Sequence, residues 1–548
     1  MEIYKRRMIF TVLLVIIALS SGISGCNKKN TKIMPQNRTD LVLPVKEPIT
    51  LKYWVKNNAS SSIKNYSEMG MYKELEKRTG IRIEFIHPAA NQQSEQMNIM
   101  LASRNLPDMI EGLQGYPGGI LKAHLDGIII ELNEVQSKYA PNLQKLYKTY
   151  PEIDAQAQND KGRYFVTPLI RGGAELRTYA GPILRKDWLD ELGLGVPTTL
   201  DEWYTVLKAF KDKKGIRAPL SSEITMFKKE PFVGAFGIRN DDFVEDGKVF
   251  TGGYDPRYKE YMKTMVAWYR EGLIDPEIGL VTPNILETKI LSGDVGAYIQ
   301  AIGSGIGRIM SQMKDKNPHF DLVAAPYPTI NKGDKAKFVQ LDPLVSTNTA
   351  VSITTANKYP AETMAWLDYM YSKDGHMLCN FGIENESYVI ENKYPKYTEL
   401  ITNNPEGLAM SLVGLKYCRS FISGPFVQDT RYVEQFYSMP SQRRASELWA
   451  AQAKEVKDFN VYGTLTPEEL EAIAYKTSET TGYIKEMYIK WLTGVESLDK
   501  FDEYRDQLKQ LGIEDVIKVK QQAYNRFKQR FPQILEHNNN NVSDYYWK

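Results

Sequence analysis

The chain has 548 residues, 69 of them basic and 67 acidic, for a formal charge of +2. So even a balance excludes nucleic-acid binding by bulk electrostatics and leaves no polybasic membrane patch. With 42% apolar and 11% aromatic residues it can fill more than one hydrophobic core, and its three cysteines are too few for a disulfide framework.

The N-terminus comes first in chain order. Lys5, Arg6 and Arg7 precede an apolar run from Met8 to Leu19, followed by Ile23-Ser24-Gly25-Cys26. A charged head, a short apolar run and small residues form the pattern of a cleaved export signal. The run is too short for a mature membrane-spanning helix, which needs about 20 apolar residues. Cys26 and the residues before it resemble the lipobox of bacterial lipoproteins, in which the cysteine thiol is acylated and becomes the new N-terminus. Residues 1–25 are therefore expected to be a signal peptide and Cys26 a lipid anchor. Residues 26–47, rich in Lys, Asn, Thr and Pro, read as a flexible tether. An exported chain could pair the other two cysteines, Cys379 and Cys418, but spacing does not decide it.

Ile49-Thr50-Leu51-Lys52-Tyr53-Trp54 alternates as a first strand, and Lys56-Asn57-Asn58-Ala59-Ser60 is a polar loop. A helix through Met71 to Arg78 ends on Gly80 as its cap. A second strand runs over Ile81–Phe85, a helix over Glu95–Ser103, and a third strand over Leu106–Ile110. Strand, helix, strand, helix, strand is the α/β pattern of a mostly parallel sheet. Further on, Thr199 and Glu202 stand at capping-box spacing ahead of a helix burying Trp203, Val206, Leu207 and Phe210. Val295–Ile299 and Leu322–Ala325 read as short strands, and Pro360–Tyr371 as a helix. Helical patterns dominate from Arg443 to Arg530, and the asparagine-rich tail, Asn538 to Lys548, reads as loose. No HExxH, CxxC, P-loop or GxSxG motif occurs, and the histidines lack metal-ligand spacing.

Several segments in this order resemble extracellular solute-binding proteins of carbohydrate-type ABC transporters, the maltose-binding-like superfamily. Within it they are similar to the large lipoprotein branch of Gram-positive bacteria. The resemblance rests on Glu74-Leu75-Glu76-Lys77-Arg78-Thr79-Gly80-Ile81, Leu106-Pro107-Asp108-Met109-Ile110-Glu111, and Leu184 to Gly193 with Pro197 to Trp203. Glu271-Gly272-Leu273-Ile274-Asp275-Pro276-Glu277 and Asn404-Pro405-Glu406-Gly407-Leu408 complete it. It implies a two-lobe α/β fold with discontinuous lobes joined by hinge strands and a ligand cleft between them. By that analogy one lobe takes residues 48–168 and about 347–402, and the other about 169–346 and 403–548 with the C-terminal helices.

Two departures stand out. Many members of the branch carry a calcium loop where this chain has Lys211 to Leu220. Its acidic ligands are missing, and Asp212 alone cannot supply the six to eight oxygens Ca²⁺ needs, so no calcium and no other cofactor is expected there. Gly382-Ile383-Glu384-Asn385-Glu386-Ser387-Tyr388 also differs from the branch, which usually has glycine after the first glutamate.

A sugar presents hydroxyls around apolar ring faces and is read by aromatics with amides, carboxylates or arginines at the rim. Loops after strands supply Trp54, Lys56, Asn57 and Asn58, then Glu111, Gln114 and Tyr116, and, past a later strand, Tyr298, Gln300 and Ser304. Arg171, Phe232, Tyr388 and Arg431 are further candidates. Each has a plain structural alternative: core for the aromatics, ion pairing for the arginines, turns for the amides. Trp188, Trp203 and Trp268 read as core.

Together these features imply a lipid-anchored, monomeric receptor on the outer face of the cytoplasmic membrane of a Gram-positive bacterium. It would capture an oligosaccharide by hinge closure and deliver it to an ABC permease. A receptor for a peptide or other non-sugar solute, and an exported polysaccharide-degrading enzyme, are the alternatives, because a fold fixes a cleft and not its contents.

Overall fold

The computed structural model describes residues 41–548 apart from 228, 229, 407, 421, 423, 458, 536–540 and 548. Cys26, the signal sequence and most of the expected tether lie outside the described residues. The chain is docked from Leu41 onward, earlier than the tether reading allows. Leu41, Leu43 and Val45 pack against a hydrophobic core, and the Val45 amide donates to the Thr79 carbonyl at 2.9 Å.

In chain order the strands are β1 (Ile49–Trp54), β2 (Ile81–Ile86), β3 (Met109–Glu111), β4 (Thr167–Ile170), β5 (Ala180–Arg185) and β6 (Ala218–Ser221). They continue with β7 (Asp242–Glu245), β8 (Lys248–Thr251), β9 (Val295–Ala301), β10 (Leu322–Ala324), β11 (Val345–Ile353), β12 (Tyr388–Glu391) and β13 (Tyr394–Tyr397). One sheet has the order β2-β1-β3-β11-β4, the other β10-β5-β9-β6, and β7-β8 and β12-β13 are hairpins. The expected parallel pattern holds for β1, β2 and β3; β11 then enters antiparallel between β3 and β4. A strand from late in the chain thus completes the sheet begun at the N-terminus.

Local chemistry accounts for the element ends. The helix Gly70–Thr79 stops at Gly80, whose φ of +70° a side chain would strain. The helix Leu200–Lys214 starts where the Thr199 hydroxyl accepts the Glu202 amide at 3.2 Å. The Glu202 carboxylate reaches past Thr199 to the Thr198 amide and hydroxyl, both at 2.7 Å, so the reciprocal half of the box is shifted by one residue. Trp203, Val206, Leu207 and Phe210 are all buried, as their spacing requires.

Each sheet has its own core. Around the first, Tyr53, Leu75, Ile83, Met109 and Trp366 are joined by late residues such as Phe426, Val427, Val542 and Tyr546. Around the second, Trp203, Phe232, Trp268 and Tyr298 pack with Trp449 and Trp491 from the C-terminal helices. The described part of the tail, residues 541–547, is not loose: Val542, Ser543 and Tyr546 are buried, and the Tyr546 ring stacks on His376 at 3.8 Å. Its three consecutive aromatics, Tyr545, Tyr546 and Trp547, outweigh the asparagines before them.

Asp368, 3% exposed, holds the start of the helix Pro141–Thr149 by accepting the Leu143 amide at 2.8 Å and the Asn142 side chain at 2.7 Å. Burial outweighs these bonds and pushes its carboxyl up to about 6. An unfolded aspartate titrates near about 3.9. Between those values the native state binds the extra proton, so this group adds stability as pH falls from about 6 to about 4. Asp368→Asn is expected to remove that slope. Urea unfolding of both proteins across this range should show the wild type gaining about 2 kcal/mol relative to the variant at the acid end.

Candidate functional site

Between the two sheets the chain crosses at the segments 171–179 and 340–344, with 427–430 beside them. The Arg171 amide donates to the Leu344 carbonyl and the Asp342 amide to the Arg177 carbonyl, both at 2.9 Å. Gln340 accepts the Tyr179 amide at 2.8 Å through Oε1, and its Nε2 donates to the Arg177 carbonyl at 2.9 Å. Arg171 closes the group with an ion pair to Asp342 at 2.6 Å. The third segment joins β4, the Gln428 amide donating to the Ile170 carbonyl at 2.8 Å. A few backbone dihedrals here set the relation of the two sheets, which is how a hinge is built.

A cavity of about 430 Å³ lies beside the crossing. Gln114, after β3, and Gln156 to Asn159, ending the helix Pro151–Ala157, form one wall. Pro343, Val345 and Thr347 form the floor, and Asn460 to Leu465 with Phe527 the far wall. A neighbouring cavity of about 610 Å³ shares Val461 and runs past Asn240, Asp242, Thr480 and Lys520. The walls approach closely at Gly119, where a Cβ would sit 3.0 Å from Leu470 at a φ of +78°. Gln156 accepts the Val345 amide at 3.2 Å, and its Nε2 is sheltered from solvent without a partner. Across the cleft, Arg526 bonds Asp160 at 2.7 Å and both oxygens of Glu469 at 2.7 Å. Arg530 donates to the Asn159 carbonyl at 2.9 Å and to the Gln158 side chain.

Of the residues singled out from sequence, only Gln114 lines the 430 Å³ cavity. Trp54 is one layer behind it, buried with Leu113, Phe165 and Val166, the last two of which reach the cavity wall. Asn57 shapes a turn, accepting the Ala59 amide at 2.8 Å and donating to the Ile63 carbonyl at 3.0 Å. The Asn58 amide donates to the Tyr66 hydroxyl at 3.0 Å, and Lys56 is exposed. Tyr116 donates to Asp126 at 2.8 Å. Gln300 folds onto the Ala301 amide at 2.9 Å, and Ser304 sits part-buried in the π-helical turn Ile302–Arg308.

The other candidates have partners within the fold. Phe232 is buried between Trp203 and Trp268, with ring centroids 5.2 and 5.5 Å away. Tyr298 is fully buried, its hydroxyl donating to the Gly305 carbonyl at 2.7 Å. Tyr388 packs on Phe381, and burial pushes its hydroxyl up to about 12. Arg171 belongs to the crossing. Arg431 is paired with Asp429 at 3.2 Å and Asp544 at 3.1 Å. Glu111 is 6% exposed, receives Arg419 at 3.1 Å and the Tyr53 hydroxyl at 2.5 Å, and is raised by burial against the pull of Arg419. Cys379 and Cys418 are buried free thiols, and burial pushes Cys418 up to about 11. The segment 211–220 is a helix end followed by β6, with Asp212 paired to Lys208 at 2.9 Å.

Sequence reasoning missed Gln156, Asn159, Asn460, Tyr462 and Thr464. The polar break at Asn460-Val461-Tyr462-Gly463-Thr464, between two helical runs, was the available signal.

The model of the family described as bacterial extracellular solute-binding protein matches residues 59–377. The fructooligosaccharide ABC transporter substrate-binding protein FusA of Streptococcus pneumoniae is 25% identical, covering 95% of this chain and 98% of its own. Lipoprotein LipO of Bacillus subtilis is 27% identical over 62% of this chain and 68% of its own. The crystal structure of the alginate-binding protein AlgQ2 without calcium ion superposes with a TM-score of 0.72 at 25% identity, covering 88% of this chain and 99% of that one.

Arg419→Met is expected to leave the Glu111 charge buried and unpaired, costing about 3–5 kcal/mol. Replacing Glu111 as well, by Leu, should recover much of that loss. Denaturant midpoints of the single and double variants check this.

Proposed function

The chain belongs to the bacterial extracellular solute-binding proteins, and we propose that it captures an oligosaccharide in the cleft beside the crossing segments and passes it to an ABC transporter permease. The observation that carries this reading is the cleft wall. Gln114, Gln156 and Asn460 supply amides, Thr347, Tyr462 and Thr464 hydroxyls, and Phe527 an aromatic ring. Amides and hydroxyls can both donate and accept, which matches sugar hydroxyls, and the ring offers a face for C–H groups. The wall comes from the first sheet's side and from the C-terminal helices, so a ligand seated there touches both.

Bending at Arg171 to Tyr179 and Gln340 to Leu344 would then close the lobes on the ligand. Closure is favoured only by the ligand's tighter binding to the closed arrangement. FusA is named for fructooligosaccharides and AlgQ2 for alginate, which supports a sugar over a peptide. We further infer that the protein is a monomeric carrier without enzymatic activity. Acylation of Cys26 would hold it on the outer face of a Gram-positive cytoplasmic membrane, a reading that the lipoprotein relative LipO supports.

A thermal-shift screen of the chain from residue 27 onward tests the receptor. At a hundredfold excess over Kd a ligand stabilises the native state by about 2.7 kcal/mol. The expected result is a melting temperature raised by oligosaccharides and unmoved by peptides; the reverse pattern sinks the sugar reading. For the anchor, Cys26→Ala is expected to shift the full-length protein from the membrane fraction to the medium.

A further inference from the structure

We propose that Arg526 is a positioning residue for ligand capture. Paired with Glu469 in the lobe around the second sheet, it grips Asp160 of the first lobe when the cleft walls meet, and so latches the cleft shut. This rests on the receptor reading above and adds to it the groups that hold the closed arrangement.

The two sides of the contact belong to different lobes. Arg526 stands near the end of the helix Ile513–Arg530. The second lobe holds that helix through Ile513 in its core, through Lys520 paired with Asp242 on β7, and through Gln521, which accepts the Val249 amide of β8 at 2.7 Å. Asp160 follows the helix Pro151–Ala157, whose Ile153 and Ala157 lie in the first core. It stands in a turn that Asn159 builds by accepting the Lys161 amide at 2.9 Å and the Arg163 amide at 3.0 Å. Gly162 in the same turn has a φ of +74°, and a Cβ there would sit 2.6 Å from Arg530 Nη2. The turn thus has room for the guanidinium groups of the opposing helix end. Arg526 donates to Asp160 at 2.7 Å, and Arg530 to the Asn159 carbonyl at 2.9 Å and to the Gln158 side chain. The Thr464 amide, from the far wall of the cleft, also donates to Asp160 at 3.3 Å.

Glu469 is what makes the contact reversible. From the helix Pro467–Leu492, which packs on the second core, it meets both Nη atoms of Arg526 at 2.7 Å. A planar guanidinium gripped at two points keeps one orientation, and here that leaves Nε aimed at Asp160. When the walls part, Arg526 keeps a counter-charge and water replaces it at Asp160. Arg419 and Glu111 differ, because separating them strands a buried charge. The Arg526 and Asp160 side chains are 34% and 15% exposed, so water screens the pair and its contribution is modest. That is the size a latch needs if a ligand is to tip the balance. The apolar part of the joint is equally light. To the cluster with Phe527 and Ile534 the helix Pro151–Ala157 contributes Ala155, while the Phe527 ring packs on Tyr462 and Phe531.

The test places spin labels on the chain from residue 27 at Ser103→Cys and Lys263→Cys, exposed positions on the two lobes; Cys379 and Cys418 are buried. Pulsed electron resonance then gives the distance between lobes, alone and with a panel of fructo-, gluco- and manno-oligosaccharides. In Asp160→Asn the short-distance population is expected to fall, and calorimetric binding of the panel's sugars to weaken about threefold. Dissociation should quicken while association stays the same. Asp160→Glu, which keeps the charge, should restore part of each. A pair that merely braces the fold would lower the melting temperature and leave distances and dissociation alone, and that result overturns the proposal. A shift in distances with unchanged sugar affinity overturns it too. If no sugar of the panel binds, the oligosaccharide reading fails by itself and the protein alone decides the latch: short distances depleted in Asp160→Asn support it, and equal distributions overturn it.

Discussion

Two sheets with separate cores can move as lobes only if the chain between them is narrow and its backbone groups are bonded. The Arg171–Asp342 pair and the amide of Gln340 meet that requirement. Gln340 takes the Tyr179 amide and gives to the Arg177 carbonyl, so a crossing strand's backbone groups are bonded without a third sheet. Arg171 and Asp342 stand on different crossing segments, and their 2.6 Å contact couples the two. Buried backbone groups that lack partners would favour collapse of one sheet onto the other. With these bonds in place the crossing stays thin, and a cleft remains beside it.

The first lobe is closed by interactions between residues far apart in sequence. Arg419 reaches Glu111 on β3 and the Tyr72 hydroxyl at 2.7 Å. His376 meets Asp429 at 2.8 Å, and Trp547 donates to the same carboxylate at 2.7 Å. Buried pairs of this kind add little net stability compared with apolar packing, but removing one partner is costly. They act as registration marks: a misplaced segment leaves a charge alone in the core.

Much of the fold was legible. β1, β2 and the helix between them declare themselves by alternation, a helical stripe and Gly80, and the helix after Pro197 by Thr199 and a stripe of buried aromatics. These are local signals, each set by residues a few positions apart. The insertion of β11 between β3 and β4 was not legible locally, because nothing in Val345–Ile353 names its neighbours. The cleft was less legible still. Strand-end position brought forward Gln114, which lines the cavity, but the same reasoning proposed Tyr298, whose hydroxyl turns inward to Gly305. Gln156, Thr347 and Asn460 become neighbours only after the crossing and the C-terminal helices are in place. Arg171 and Arg431 were chosen for their charge, and that charge is spent on Asp342, Asp429 and Asp544.

The docked C-terminal tail sets the order in which this molecule can be completed. Ser543 donates its amide to Gly172 at one crossing segment, and its hydroxyl accepts the Thr430 amide at another. Val542 and Tyr546 fill the core that β1 begins. The first lobe therefore lacks part of its interior until residues 542–546 join it. The same few residues thus tie completion of the first lobe's core to the bracing of the hinge.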